Sequence, residues 1–141
     1  MLNIEILCDG NLKEQYLRDG CAEYVKRIGA FAKINIREFR DDKQMLPFLH
    51  PKAFKIALCI EGKMLDSVEL AEKIDSIAIN GISDIIFVIG GSDGLSEDVK
   101  SACDLRLSFS RMTFPHQLMR MILLEQIYRA FTIINHGKYH K

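Results

Sequence analysis

Four stretches of this chain carry residue types and spacings suited to chemistry. The first is Gly90-Gly91-Ser92-Asp93-Gly94, which follows the apolar run Asp84–Ile89. Two adjacent residues without side chains let a ligand or another backbone approach closely. The loop has neither the lysine of a P-loop nor the spacing of a dinucleotide fingerprint, so neither ATP nor NAD is indicated. Taken alone, such a loop is more often a tight turn than a cofactor site. The second is Ser110-Arg111-Met112-Thr113-Phe114-Pro115-His116, which leads from a strand candidate into the longest helix candidate. Free backbone N–H groups at such a junction can hold a ligand, although an ordinary proline-bearing helix start accounts for the same residues.

The third lies on that helix. Glu125 and Arg129 stand four apart, the spacing of a routine ion pair contributing about 0.2–0.5 kcal/mol. His116 and Arg120 are also four apart, on another face, where no ion pair explains them. Turned toward a cleft, they suit contact with phosphate. The fourth is the end of the chain, Asn135-His136-Gly137-Lys138-Tyr139-His140-Lys141. Tyr139 can stack on a base and the lysines can meet phosphate.

Charge points the same way. The 141 residues carry no formal net charge, yet residues 110–141 hold five Lys and Arg against Glu125 alone, a net +4 that the rest of the chain balances. His116, His136 and His140 fall in the same segment. A basic C-terminal end on an acidic body suits an anionic partner, and a solvated helix face suits it as well.

These stretches need a scaffold that gathers them. Leu2–Cys8 alternates and predicts a strand; Leu12–Ile28 reads as an amphipathic helix through Leu12, Tyr16, Leu17, Cys21, Tyr24, Val25 and Ile28, stopped by Gly29. Ile34–Phe39 predicts a second strand, residues 40–50 an irregular stretch with a helical turn before Pro51, and Phe54–Ile60 a third strand. Asp66 followed by Glu69 has the form of a capping box. It opens a helix with a buried stripe of Val68, Leu70, Ala71, Ile74 and Ile77, closed by Gly81. Asp84–Ile89 is almost wholly apolar, as in a strand covered on both faces. Ser96 caps a short helix to Ala102, Leu105–Phe109 is a fifth strand, and a long helix runs from near Pro115 to about Asn135. Strand and helix alternate, which predicts one α/β domain of three layers around a mainly parallel sheet. Ligands in such sheets sit at the carboxyl ends of the strands, where Ile60-Glu61-Gly62-Lys63 and the glycine loop fall.

Composition bounds the rest. Hydrophobic residues make up 48% of the chain, enough for one core over residues 1–141. The start has no signal-peptide pattern and no run is long enough to span a bilayer, so a cytoplasmic protein without a membrane partner is expected. Cys8, Cys21, Cys59 and Cys103 form no C-x-x-C pair, so reduced, mostly buried thiols and no metal are expected.

Taken together, FVIGGSDGLS, SFSRMTFPHQLMRMILLEQIYRAFTII and the terminal YHK resemble the ribosomal large-subunit methyltransferase H family, minimal SPOUT methyltransferases. The resemblance is specific over residues 84–141 and looser over 1–83. It implies a C-terminal α/β trefoil knot, a homodimer with each cofactor pocket close to the partner subunit, and S-adenosyl-L-methionine as cofactor. It implies methylation at N3 of a pseudouridine in 23S rRNA within the ribosome. The cofactor pocket it implies comprises Leu58, Gly91, Ser110, Arg111, Met112, Thr113, Phe114 and Pro115. Tyr139 and His140 would contact the target base, and Arg129 would stabilise the developing uracil anion. Glu125 would orient Arg129, while His116 and Arg120 would line the substrate cleft. Residues 40–52 are shorter than in the family, Ser92 stands where proline is common, and one extra residue precedes Tyr139. Two alternatives share the sequence: a SPOUT enzyme for tRNA, against which the lack of an RNA-binding extension counts, and a non-catalytic RNA-binding or ribosome-assembly module, against which the intact glycine loop and tail count.

Overall fold

Apolar residues at alternate positions on five short runs build one sheet between two helical layers. A computed structural model of the chain describes residues 1–141. Strands β1 (Asn3–Asp9), β2 (Lys33–Phe39), β3 (Phe54–Met64), β4 (Asp84–Ile89) and β5 (Leu105–Ser108) alternate with helices α1 (Gln15–Ile28), α2 (Ser67–Ile79), α3 (Glu97–Ser101) and α4 (His116–Ile134). The strands lie in the order β2-β1-β4-β3-β5 and every pairing is parallel.

β4 occupies the centre, and its pleat sorts the core. Ile85, Phe87 and Ile89 pack on the side of α1, α2 and α4, together with Ile4, Ile6 and Ile56. Ile86 and Val88 turn to the other face, toward Leu7, Ala57, Met45 and Val99. This two-residue period, with both faces covered, is why the strand reads as unbroken apolar sequence. The three layers follow, and α4 lies against both α1 and α2. No helix is long and apolar enough to cross a membrane.

Local signals hold closely at α2. The Asp66 carboxylate accepts from the Glu69 N–H at 2.7 Å, and the Glu69 carboxylate accepts from the Asp66 N–H at 2.9 Å. Leu70, Ala71, Ile74 and Ile77 are buried, but Val68 is exposed because it falls on the opposite face of the helix. Tyr16 on α1 is likewise exposed, beside the stripe of Leu17, Cys21 and Ile28 rather than on it. α1 begins later than expected, at Gln15: Arg18 donates to the carbonyls of Leu12 and Lys13, which holds those residues in a wrapped approach to the helix. The irregular stretch contains a 3-10 segment, Asp42–Phe48, capped by Asp41 and anchored by the fully buried Met45.

β3 departs most from expectation. It runs on through Glu61, Gly62 and Lys63, and both Leu58 and Lys63 register with Leu107 of β5. The four residues between form an irregularity in the ladder. A Cβ on Gly62 would stand 2.6 Å from the Arg106 carbonyl carbon, so only glycine lets the strands close again beyond it.

Candidate functional site

The strand ends gather three loops around one cavity of about 760 Å³. The end of β3 supplies Leu58, Cys59, Ile60 and Glu61; the turn after β4 supplies Gly90 through Leu95; and the segment after β5 supplies Ser108 to Ser110 and Met112 to His116. The glycine turn is tight because it closes on itself: the Gly94 N–H donates to the Gly91 carbonyl at 3.0 Å. A Cβ on Gly90 would lie 2.6 Å from the Gly94 carbonyl carbon. The segment after β5 is shaped by its serines: the Ser108 hydroxyl donates to the Ser110 carbonyl, and the Ser110 hydroxyl accepts from the Met112 N–H. Leu58, Ile60, Ile89, Leu107 and Phe109 give the cavity an apolar body, while the loops present main-chain polar groups. Such a mixture suits a flat heterocycle joined to a polar tail.

Ionisable groups sit at its edges. Lys100 donates to the Glu61 carboxylate, and this hydrogen bond, with the ammonium charge behind it, holds Glu61 below the usual carboxylate range. Burial, followed by the Glu61 charge, pushes the Cys59 thiol up. Behind Gly91, burial and then the charges of Asp42 and Asp41 push the Asp9 carboxyl up, while the charge of His116 and the Gly91 N–H pull it down.

A second assembly forms on α4 away from this cavity. Arg129 grips Glu125 through two hydrogen bonds, at 2.6 and 3.2 Å. The Tyr139 hydroxyl donates to the same carboxylate at 2.7 Å, and the Arg129 guanidinium lies 4.8 Å from the Tyr139 ring centroid. Arg129 also contacts His140 Nδ1 at 3.1 Å. Tyr128 meets the Tyr139 ring edge-on at 4.8 Å. Burial pushes Glu125 up, but the hydrogen bonds from Arg129 and Tyr139 outweigh it and leave the carboxyl below its ordinary range. Burial and the bond to Glu125 push the Tyr139 phenol well up. The pair that looked like a routine helical ion pair is therefore the seat of the chain end.

A family model described as "Predicted SPOUT methyltransferase" matches residues 2–140. Ribosomal RNA large subunit methyltransferase H from Bacillus pumilus is 49% identical over 159 aligned residues, covering 99% of this chain and all of that protein. The chain belongs to the SPOUT methyltransferases, in the large-subunit methyltransferase H family. An alignment of 159 residues against a chain of 141 leaves at least eighteen positions of that relative without a counterpart here. The fold agrees. The A. aeolicus TrmH/SpoU tRNA modifying enzyme superposes with a TM-score of 0.56 at 13% identity, over 94% of this chain and 77% of that one. AviRb from Streptomyces viridochromogenes, a SpoU methyltransferase solved in complex with the cofactor AdoMet, gives 0.52 at 9% identity, over 97% and 59%.

In this SPOUT methyltransferase the expected site residues divide into two groups. Leu58, Gly91, Ser110, Met112, Thr113, Phe114, Pro115 and His116 share the cavity. Glu125, Arg129, Tyr139 and His140 share the α4 assembly. Arg111 is exposed and lines no part of the cavity. Arg120 is a correction: it does not face the cleft. It is only 5% exposed, and donates to Glu38 at 2.6 Å and to the Gly10 carbonyl at 3.1 Å. Its partner lies 82 positions away on β2, beyond the reach of spacing arguments. Cys59 and Lys100 at the cavity, Asp9 behind its glycine turn, and Tyr24 and Tyr128 beside the tail carry no local pattern that marks them. Only Glu61 was signalled, by its place in a strand-end loop. No three His, Cys, Asp or Glu side chains converge as a metal site.

Proposed function

We propose that this chain transfers a methyl group from S-adenosyl-L-methionine to N3 of a pseudouridine in 23S rRNA within the ribosome, as a cytoplasmic homodimer with a trefoil-knotted C-terminal half. The observation that carries this reading is the convergence of the loops after β3, β4 and β5 on one cavity. The cavity fits the cofactor: a Cβ at Gly90 would collide with the turn's own backbone, so the loop stays narrow and its main chain stays exposed to a ligand. Leu58, Gly91, Ser110 and Met112 to Pro115 would hold it. When bound, the cofactor supplies a methyl group already activated on a sulfonium.

The chain's own work is then alignment and charge. Fixing the nucleophilic nitrogen in line with the methyl carbon can remove about 7–11 kcal/mol of the barrier that two free reactants would face. Arg129, held by Glu125, offers a cation to the uracil carbonyls as negative charge develops there. Tyr139 and His140 orient the base. Met119 lines the cavity, and Arg129 follows ten residues later on α4. At 1.5 Å per residue that is about 15 Å, too far for both groups to serve one base within a single chain. A second copy that brings its tail to this cavity removes the difficulty, which supports the homodimer.

The test is methyl incorporation from labelled cofactor into 70S ribosomes, free 23S rRNA and tRNA, with the modified nucleoside identified by mass spectrometry. Label at N3 of a 23S pseudouridine is expected. Label in tRNA alone overturns the reading, and absence of cofactor binding favours a non-catalytic RNA-binding module.

A further inference from the structure

Methylation of an imide nitrogen releases a proton, and a side chain placed to accept it speeds the step. The α4 assembly is poorly suited to do so. Glu125 is saturated by Arg129 and Tyr139. The Tyr139 hydroxyl points its own proton at that carboxylate. Guanidinium groups only donate, so the contact from Arg129 makes His140 Nδ1 the acceptor and leaves the proton of the neutral ring on Nε2. The free nitrogen of His140 therefore donates. Arg129, Tyr139 and His140 thus offer hydrogen bonds or positive charge, and Glu125 is already engaged, so this assembly presents no open lone pair to a proton.

Five ionisable side chains line the cavity: Cys59, Glu61, Asp93, Lys100 and His116. Glu61 and Lys100 are occupied with each other. Cys59 is a protonated thiol, its sulfur directed to the Ala57 carbonyl at 3.6 Å. Asp93 stands at the exposed tip of the glycine turn, and an ionised carboxylate in water is a far weaker proton acceptor than an imidazole. His116 differs from all four. It is the first residue of α4, half-buried, at the mouth of the loop that follows β5, and its ring has no hydrogen-bond or ion-pair partner.

We propose that His116 is the proton acceptor for the methylated imide. This inference rests on the methyltransferase reading above. In the step, the N3–H bond breaks and its proton passes to the free imidazole nitrogen. The electron pair left on N3 forms the new bond to the methyl carbon, and the pair of the broken C–S bond stays on sulfur. His116 becomes an imidazolium and returns its proton to water. A counter-charge is at hand: the Asp9 carboxylate, at the end of β1, sits 3.3 Å from where a Cβ on Gly91 would be, and positive charge on His116 favours its ionised form.

The experiment is single-turnover methyl transfer to 70S ribosomes by the full-length protein and by His116→Ala and His116→Gln. Cofactor affinity is measured in parallel by calorimetry, and the His116→Ala reaction is repeated with added imidazole. The expected result is a transfer rate about 100-fold or more below the parent in both variants. Cofactor affinity should be unchanged, and imidazole should recover part of the rate in His116→Ala alone. A rate close to the parent's overturns the proposal, as does a loss that imidazole does not touch or one that tracks weakened cofactor binding. A parent protein that transfers no methyl group to any RNA overturns the underlying reading instead.

Discussion

The Tyr139 hydroxyl reaches back fourteen residues to donate to the Glu125 carboxylate at 2.7 Å. That bond, with Arg129 against the ring, seats the end of the chain on α4 instead of leaving it frayed. The cavity proposed for the cofactor lies further toward the start of the same helix. Binding and transfer are therefore separable. Removal of residues 139–141 is expected to leave cofactor affinity by calorimetry as it was and to abolish methyl transfer to ribosomes. Full transfer by the shortened protein would remove the tail from the reaction.

Arg120 leads to a prediction about stability. Its guanidinium is almost wholly buried, while Glu38 is 44% exposed. Breaking a fully buried pair costs about 3–5 kcal/mol, and the solvated end of this one places Arg120→Ala nearer about 2–3 kcal/mol. Urea unfolding would measure it. Glu38→Gln should cost less, since the amide oxygen still accepts from Arg120. Equal stability of Arg120→Ala and the parent would deny Arg120 its clamping role between α4, β2 and the Gly10 loop.

Arg120 also marks where sequence reasoning ends. Elements with strong local causes were legible: the alternating faces of β4, the capping box of α2 and the alternation that makes three layers all follow from neighbours in sequence. The cavity was legible too, because sheet geometry puts strand-end loops together. The division of the site was not. Nothing local says that Arg129 lies outside the cavity that Met112 lines, or that a cation four residues from His116 meets a carboxylate on a distant strand. The extension of β3 was hidden for a related reason. It depends on Gly62 passing close to Arg106, a contact between strands that no pattern within one strand records.

The glycine turn offers a sharper test of the cavity than any side chain in it. Gly90→Ala puts a methyl group 2.6 Å from the Gly94 carbonyl carbon and 2.8 Å from the Leu95 nitrogen, both main-chain atoms that cannot swing aside. The turn has to open, while β4 before it stays paired with β1 and β3. The expected result is a folded protein with a nearly native circular dichroism spectrum and at least about tenfold weaker cofactor binding, a loss of about 1.4 kcal/mol. Undiminished affinity would place the cofactor elsewhere.

Asp9 predicts a pH-dependent gain. Burial and the charges of Asp42 and Asp41 raise its carboxyl above the ordinary value, so the folded state disfavours the ionised form. Stability is then lowest where Asp9 is charged, above its raised folded value, and the penalty disappears once the pH has fallen below the unfolded value. Asp9→Asn removes the charge, and its amide oxygen can still accept from the Gly91 N–H. The variant should melt at a higher temperature than the parent at neutral pH, and the difference should close as the pH falls through the carboxylate range. Thermal unfolding by circular dichroism across that range would measure it. A gap that persists unchanged into acid would mean that the substitution acts through packing and not through charge.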